Sequence, residues 1–216
     1  MANHPNSEVS NHSRARQIAG EILSQLLNVP IVSGVLLTYI FFQLPGSLPN
    51  RIAGFGWALL FLCLIPLLSL FFYIPGRLRD KARIIRRQRI ASFVFMIISY
   101  PAGFITLRLV NAPVIFEVIA LSYTLITLGL ILVNFLLRYK ASGHAAGVAG
   151  PVGALLYFYG LIAAPLIALI PLTTWARVNA KGHDIWQTVV GALLSFSITG
   201  LTLMLYGFSP FQGILP

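Results

Sequence analysis

Residues 140–187 read KASGHAAGVAGPVGALLYFYGLIAAPLIALIPLTTWARVNAKGHDIWQ. A polar island, Lys140-Ala141-Ser142-Gly143-His144, is followed by an apolar run over 145–176. A second island then holds Arg177 and, after five intervening residues, His183. The apolar run is far longer than the ~20 residues that one helical crossing of a bilayer takes. Gly160 divides it, and the spacing predicts two short arms, 145–158 and 161–176, joined tightly at Tyr159-Gly160. Pro165 and Pro171 stand where they would kink the second arm. At ~1.5 Å per residue each arm reaches only ~21–24 Å against a ~30 Å hydrocarbon core, so the hairpin is expected to be tilted or shallow. A hairpin returns to the face it left, which puts both islands on one side of the membrane. Ionisable groups beside a bilayer are costly and mark functional sites by default.

Working outward, the rest of the chain is of the same kind. Of 216 residues, 57% are hydrophobic and 9% charged, against about 25% charged in a soluble domain. Further apolar spans cover 26–44, 52–74, 91–110, 114–137 and 184–208. They are long and unbroken, unlike the alternating ten-residue strands of a membrane barrel. The expected fold is therefore all-α, a polytopic membrane bundle of six to seven helices that includes the short hairpin at 145–176. Residues 1–24 form a polar tail before a single membrane domain over 25–210. Ile18, Ile22 and Leu26 recur at helical spacing, so an amphipathic interfacial helix is expected over 14–27. The tail holds none of the motif residues, and its deletion is expected to leave function intact. Cys63 is the one cysteine and has no partner for an internal disulfide.

The net charge is +10. Most cations cluster at the ends of apolar spans, which points to lipid head groups and membrane orientation, with no nucleic acid partner. Counting spans brings the N-terminus, the basic loop GRLRDKARIIRRQR at 76–89, Arg138–His144 and Arg177–His183 to one face. Of the fifteen Lys and Arg only Arg51 and Arg108 fall elsewhere. The positive-inside rule makes that face cytoplasmic, in an integral protein of the cell membrane.

These motifs resemble those of the type-2 phosphatidic acid phosphatase superfamily of lipid phosphatases. That signature has Lys, six intervening residues and Arg-Pro, then Pro-Ser-Gly-His, then Ser-Arg, five residues, His, three residues and Asp. Here Ala141-Ser142-Gly143-His144 stands for the second part, and Ala176-Arg177 with His183 and Gln187 for the third, in the same order and spacing. Gln187 replaces the Asp. The first part has two possible registers: Arg79, six intervening residues and Arg86-Arg87, or Lys81, five intervening residues and Arg87. The resemblance covers roughly residues 77–195. It implies that Arg177, Ser142, Gly143, Lys140, Arg79, Lys81, Arg86 and Arg87 bind phosphate. It implies that His183 is the nucleophile, His144 the acid and base, and Gln187 the group that orients His183.

The residue types support that chemistry on their own. An arginine offers a planar fork of donors for phosphate oxygens. The N–H groups of Ser142-Gly143 open a helix, where anions are favoured. A histidine can attack phosphorus, and a second can protonate the leaving alkoxide and then activate water. Gln187 sits four residues after His183, on the same helical face, and its carbonyl can accept an imidazole N–H without adding charge. His4 and His12 lie in the tail and carboxylates are few, so no metal-ligand set and no cofactor are expected. The expected activity is metal-independent hydrolysis of a lipid phosphate or diphosphate, of the phosphatidic acid or prenyl phosphate class, through a phosphohistidine. The alternative is a non-catalytic lipid-binding or scaffold protein of the same fold. Oligomeric state is not readable. Gly147, Gly150 and Gly153 are expected to allow close helix packing, Trp175 and Trp186 to anchor at the interface, and Glu117 to snorkel near Pro113 or pair with Arg108.

Overall fold

The computed structural model describes residues 5–72 and 81–211, and among them there is no strand. Helix α1 covers Pro5–Leu26, longer than the interfacial segment expected. Asn28 then caps α2, Val29–Gln43, its Oδ1 accepting from the Val29 N–H at 2.8 Å. The two helices meet at 43°. Helix α3 covers Leu48–Leu67, α4 covers Lys81–Leu109 and α5 covers Val114–Leu136. Then come α6, Gly143–Tyr159, a 3-10 segment, Gly160–Ala168, and α7, Leu169–Asn179. Helix α8 is Ile185–Leu205. The chain is thus an all-α polytopic bundle.

Within α3, Pro66 lacks the N–H that would close a π-type bond to the Phe61 carbonyl. The Ser99 hydroxyl of α4 donates to that carbonyl instead. A backbone acceptor in an apolar layer thereby keeps a partner.

Small residues set the pairing of the central helices. A Cβ on Gly191 would lie 2.4 Å from the Ser142 carbonyl oxygen, and one on Gly150 would lie 2.8 Å from Ser195 Oγ. Helices α6 and α8 therefore run parallel with their backbones close, as small-residue interfaces in membranes allow. Gly147 does the same for α2, where a Cβ would meet Val29 at 2.3 Å. At the other end of α2, Tyr39 packs edge-on against Tyr159. Helix α5 runs antiparallel to α6, with Ile126 against Gly150 and Leu130 against Gly143. The core holds Leu37, Tyr100, Phe116 and Phe158, all fully buried.

The stretch Gly143–Asn179 is the hairpin expected, but it is not shallow. Tyr157, near the end of α6, donates its hydroxyl to the Phe208 carbonyl at 2.7 Å, and the Phe211 N–H donates to the Tyr157 carbonyl at 2.8 Å. The first arm therefore extends as far as α8 does. The second arm returns the whole way because its first part is 3-10 helix. Nine residues rising ~2.0 Å and eleven rising ~1.5 Å cover ~35 Å, more than an all-α arm of that length. Pro165 lies inside the 3-10 segment, and Pro171 lies near the start of α7, where a missing N–H costs little. Gly160 turns the corner at φ +55°, a conformation that favours glycine.

Among the described residues five helical stretches are long and apolar enough to cross a membrane, and the bent pair α1–α2 makes a sixth. Splitting Gly143–Asn179 into its two arms makes seven passes. The start of α2, the end of α5, the start of α6, the end of α7 and the start of α8 share one face. The early part of α4 joins them, since Phe93 packs edge-on against Phe135 of α5.

Candidate active site

The second island is built on the way α7 ends. The Lys181 N–H bonds to the Val178 carbonyl and the Gly182 N–H to the Arg177 carbonyl, both at 3.0 Å, with Lys181 at φ +54°. This is the Schellman closure of a helix end. It folds the chain back over Arg177, whose carbonyl lies 3.4 Å from the His183 nitrogen as well. The five-residue gap between Arg177 and His183 is the length of that turn. A Cβ on Gly182 would meet Arg177 Nη2 at 2.5 Å, so a larger residue there would displace the guanidinium.

Asp184 then caps α8. Its Oδ1 accepts from the Gln187 N–H at 2.8 Å, and Gln187 Oε1 in turn faces the Asp184 N–H at 3.4 Å, a capping box. The same Gln187 Oε1 lies 2.9 Å from His183 Nδ1, and the Lys140 carbonyl lies 3.3 Å from it. The Asp184 donor fixes which end of the Gln187 amide is oxygen. Both groups facing Nδ1 are then acceptors, so Nδ1 carries the proton and Nε2 keeps its lone pair. Asp184 precedes α8, but its carboxylate is occupied by the cap and does not take the place of Gln187.

The first island is stitched to the second. Lys140 Nζ donates to the Gly182 carbonyl at 2.8 Å. The Ser142 N–H donates to the Gln187 carbonyl at 2.9 Å. Ser142 is fully buried and its Oγ accepts from the Ala145 N–H at 3.4 Å, capping α6. Its hydroxyl oxygen thus serves the helix start that carries Gly143 and His144. His144 stands in the first turn of α6, half-buried and within electrostatic reach of Arg177 and His183.

Arg177 is half-buried. Its Nη1 donates to Ser24 Oγ of α1 at 2.8 Å, and its Nε is buried with no hydrogen-bond partner. A buried, unpartnered guanidinium donor is costly unless something else fills it. Burial and the Arg177 charge, with a smaller contribution from Lys140, push the His183 imidazole down from 6.5 to about 4, against the upward pull of its bonds to Gln187 and the Lys140 carbonyl. The ring is neutral at physiological pH.

The structure thus brings together Lys140, Ser142, Gly143, His144, Arg177, His183 and Gln187. Of the basic loop, Arg79 and the side chains of Lys81 and Arg86 lie outside the described residues, and Arg87 is exposed in the first part of α4. Sequence reading missed Ser24. Its signal is a pair of small-residue repeats, Gly20 with Ser24 and Ala176 with Ala180, that pack face to face. Among the described residues no three His, Cys, Asp or Glu side chains form a metal-binding group.

Over 65 residues, 30% of the chain, the sequence is 40% identical to a lipid A 4'-phosphatase of Helicobacter pylori. The matched stretch spans about a third, 33%, of that relative's length. No family profile matches the chain, and no solved structure matches it. At this coarse level the chain is an integral membrane protein similar in part to a lipid phosphatase.

Proposed function

We propose that this protein hydrolyses a lipid phosphate or diphosphate monoester at the His144–Arg177–His183 pocket, through a phosphohistidine and without a metal. The observation that carries the reading is the buried, unfilled Arg177 Nε beside a histidine whose Nδ1 proton is held and whose Nε2 lone pair is left over. The phosphate would take the guanidinium donors and the N–H groups that open α6. His183 Nε2 attacks phosphorus, the bond to the lipid oxygen breaks, and His144, entering the step as the imidazolium, gives that oxygen its proton and becomes neutral. His144 then takes a proton from water, the water oxygen attacks the phosphohistidine, and inorganic phosphate leaves with His183 neutral again. The charge asymmetry of the chain places this pocket at the cytoplasmic face of the cell membrane in our reading.

The test is release of inorganic phosphate by the purified protein in chelator. The panel is detergent-dispersed phosphatidic acid, prenyl phosphate and prenyl diphosphate, with lipid A added on the strength of the partial relative's name. Release from at least one is expected. No release from any would favour a second reading, a non-catalytic lipid-phosphate binder, which draws on the neutral Gln187 where the resembled family has Asp.

Two results follow from the proton assignments. The acidic limb of kcat/KM should fall near pH 4 rather than near 6.5. The folded value of His183 lies below its ordinary one, so the nucleophile stays unprotonated until about 4. A limb near 6.5 would mean that a different base limits the rate. His144→Ala should lose about a hundredfold on lipid substrates and much less on an activated aryl phosphate, whose leaving group needs little protonation. Equal losses on both would remove His144 as the leaving-group acid.

A further inference from the structure

Helix α1 enters the site from outside every motif. Gly20 and Ser24 lie on its inner face, and both are buried. A Cβ on Gly20 would lie 2.9 Å from the Ala176 carbonyl oxygen and 3.0 Å from the Ala180 nitrogen, so α1 sits directly on the backbone of α7 around Arg177. Ile18, Ile22 and Leu26 stand on the opposite face, 49–58% exposed, where a bilayer would cover them. Ser24 is 2% exposed and its Oγ accepts the Nη1–H of Arg177 at 2.8 Å.

An arginine side chain has four rotatable torsions, and its fork recognises phosphate only when held in one plane and direction. On the other side Gly182 leaves the guanidinium room, since a Cβ there would lie 2.5 Å from Nη2. Ser24 engages Nη1 of this guanidinium while Nε remains unfilled.

We propose that Ser24 is a positioning residue for the anion site: α1, through its hydroxyl, fixes the Arg177 fork so that Nε and the remaining N–H groups face the phosphate. This deepens the lipid-phosphate reading and rests on it for the identity of the substrate. It reverses the expectation that the first 24 residues can be removed without consequence.

The experiment compares the full-length parent, Ser24→Ala, Arg177→Lys and the double variant. It measures binding of inorganic phosphate, turnover on the best lipid phosphate, and thermal unfolding. Ser24→Ala is expected to weaken phosphate binding about tenfold and to lower kcat/KM by a similar factor, the scale of one hydrogen bond to a charged group. The unfolding temperature should stay near the parent's. In the Arg177→Lys background the Ser24→Ala change should add little, because its target is gone. If Ser24→Ala acts equally in both backgrounds, or lowers the unfolding temperature while phosphate affinity is unchanged, Ser24 is only a packing residue and the inference fails. Phosphate binding that depends on Ser24 without lipid turnover would uphold the inference and overturn the hydrolytic reading. A parent that neither binds phosphate nor turns over lipid phosphate would sink both.

Discussion

His183→Ala should abolish lipid-phosphate turnover, a loss of about a thousandfold or more, while the protein still folds. The size follows from the role assigned: without the Nε2 lone pair no covalent intermediate forms, and the remaining anion contacts cannot replace the missing bond to phosphorus. Retention of the fold follows from position. His183 lies in the turn between α7 and α8, half-buried, and among the described residues its ring bonds to the Lys140 carbonyl and Gln187 Oε1. The Schellman closure at Arg177 uses backbone groups alone, so it survives the change. Inorganic phosphate should still bind, since Arg177 and the start of α6 are untouched. Activity within tenfold of the parent would remove His183 as the nucleophile.

Gln187→Leu should cost about a hundredfold in kcat together with a modest loss of stability. One oxygen serves two donors, His183 Nδ1–H and the Asp184 N–H. Losing the first lets the ring rotate and change tautomer, and losing the second removes half of a capping box, worth about 1 kcal/mol. Gln187→Glu keeps the reach of the side chain and adds charge. It should restore or raise turnover, because a carboxylate stabilises positive charge on the imidazole. By the same effect it raises the His183 value, so the acidic limb of the pH–rate profile moves upward from about 4. An unchanged limb in active Gln187→Glu protein would mean that this side chain does not contact the nucleophile. Full activity in Gln187→Leu would show that it has no orienting role.

The hairpin was legible because length and Gly160 left no other path for Gly143–Asn179, and the shared face of the two islands followed from it. Its depth was not legible. Residues 160–168 are apolar throughout, so no pattern separates 3-10 from α there, and an all-α rise underestimates how far the segment carries the chain. The Arg177–His183 pair was legible from residue type and spacing, but the reason for the spacing needed the backbone. Lys181 adopts φ +54° at a position where glycine is the usual signal, so the helix closure was hidden. The capping box was written plainly as Asp184 to Gln187, yet reading Gln187 only against the resembled family's Asp obscured its second role. Ser24 was missed because its contact is 153 positions away in the chain, and a serine in an amphipathic segment signals nothing alone.

The most direct test is rapid-quench trapping of the parent during turnover of a lipid phosphate, followed by mapping of the phosphorylated residue by mass spectrometry under alkaline conditions, where phosphoramidates survive. We predict one phosphoryl group on the peptide that spans Arg177–Gln187, localised to the ring of His183, absent from His183→Ala and accumulating with activated substrates. Phosphate release at the parent's rate with the phosphoryl group on another residue would contradict the account, as would undiminished release by His183→Ala.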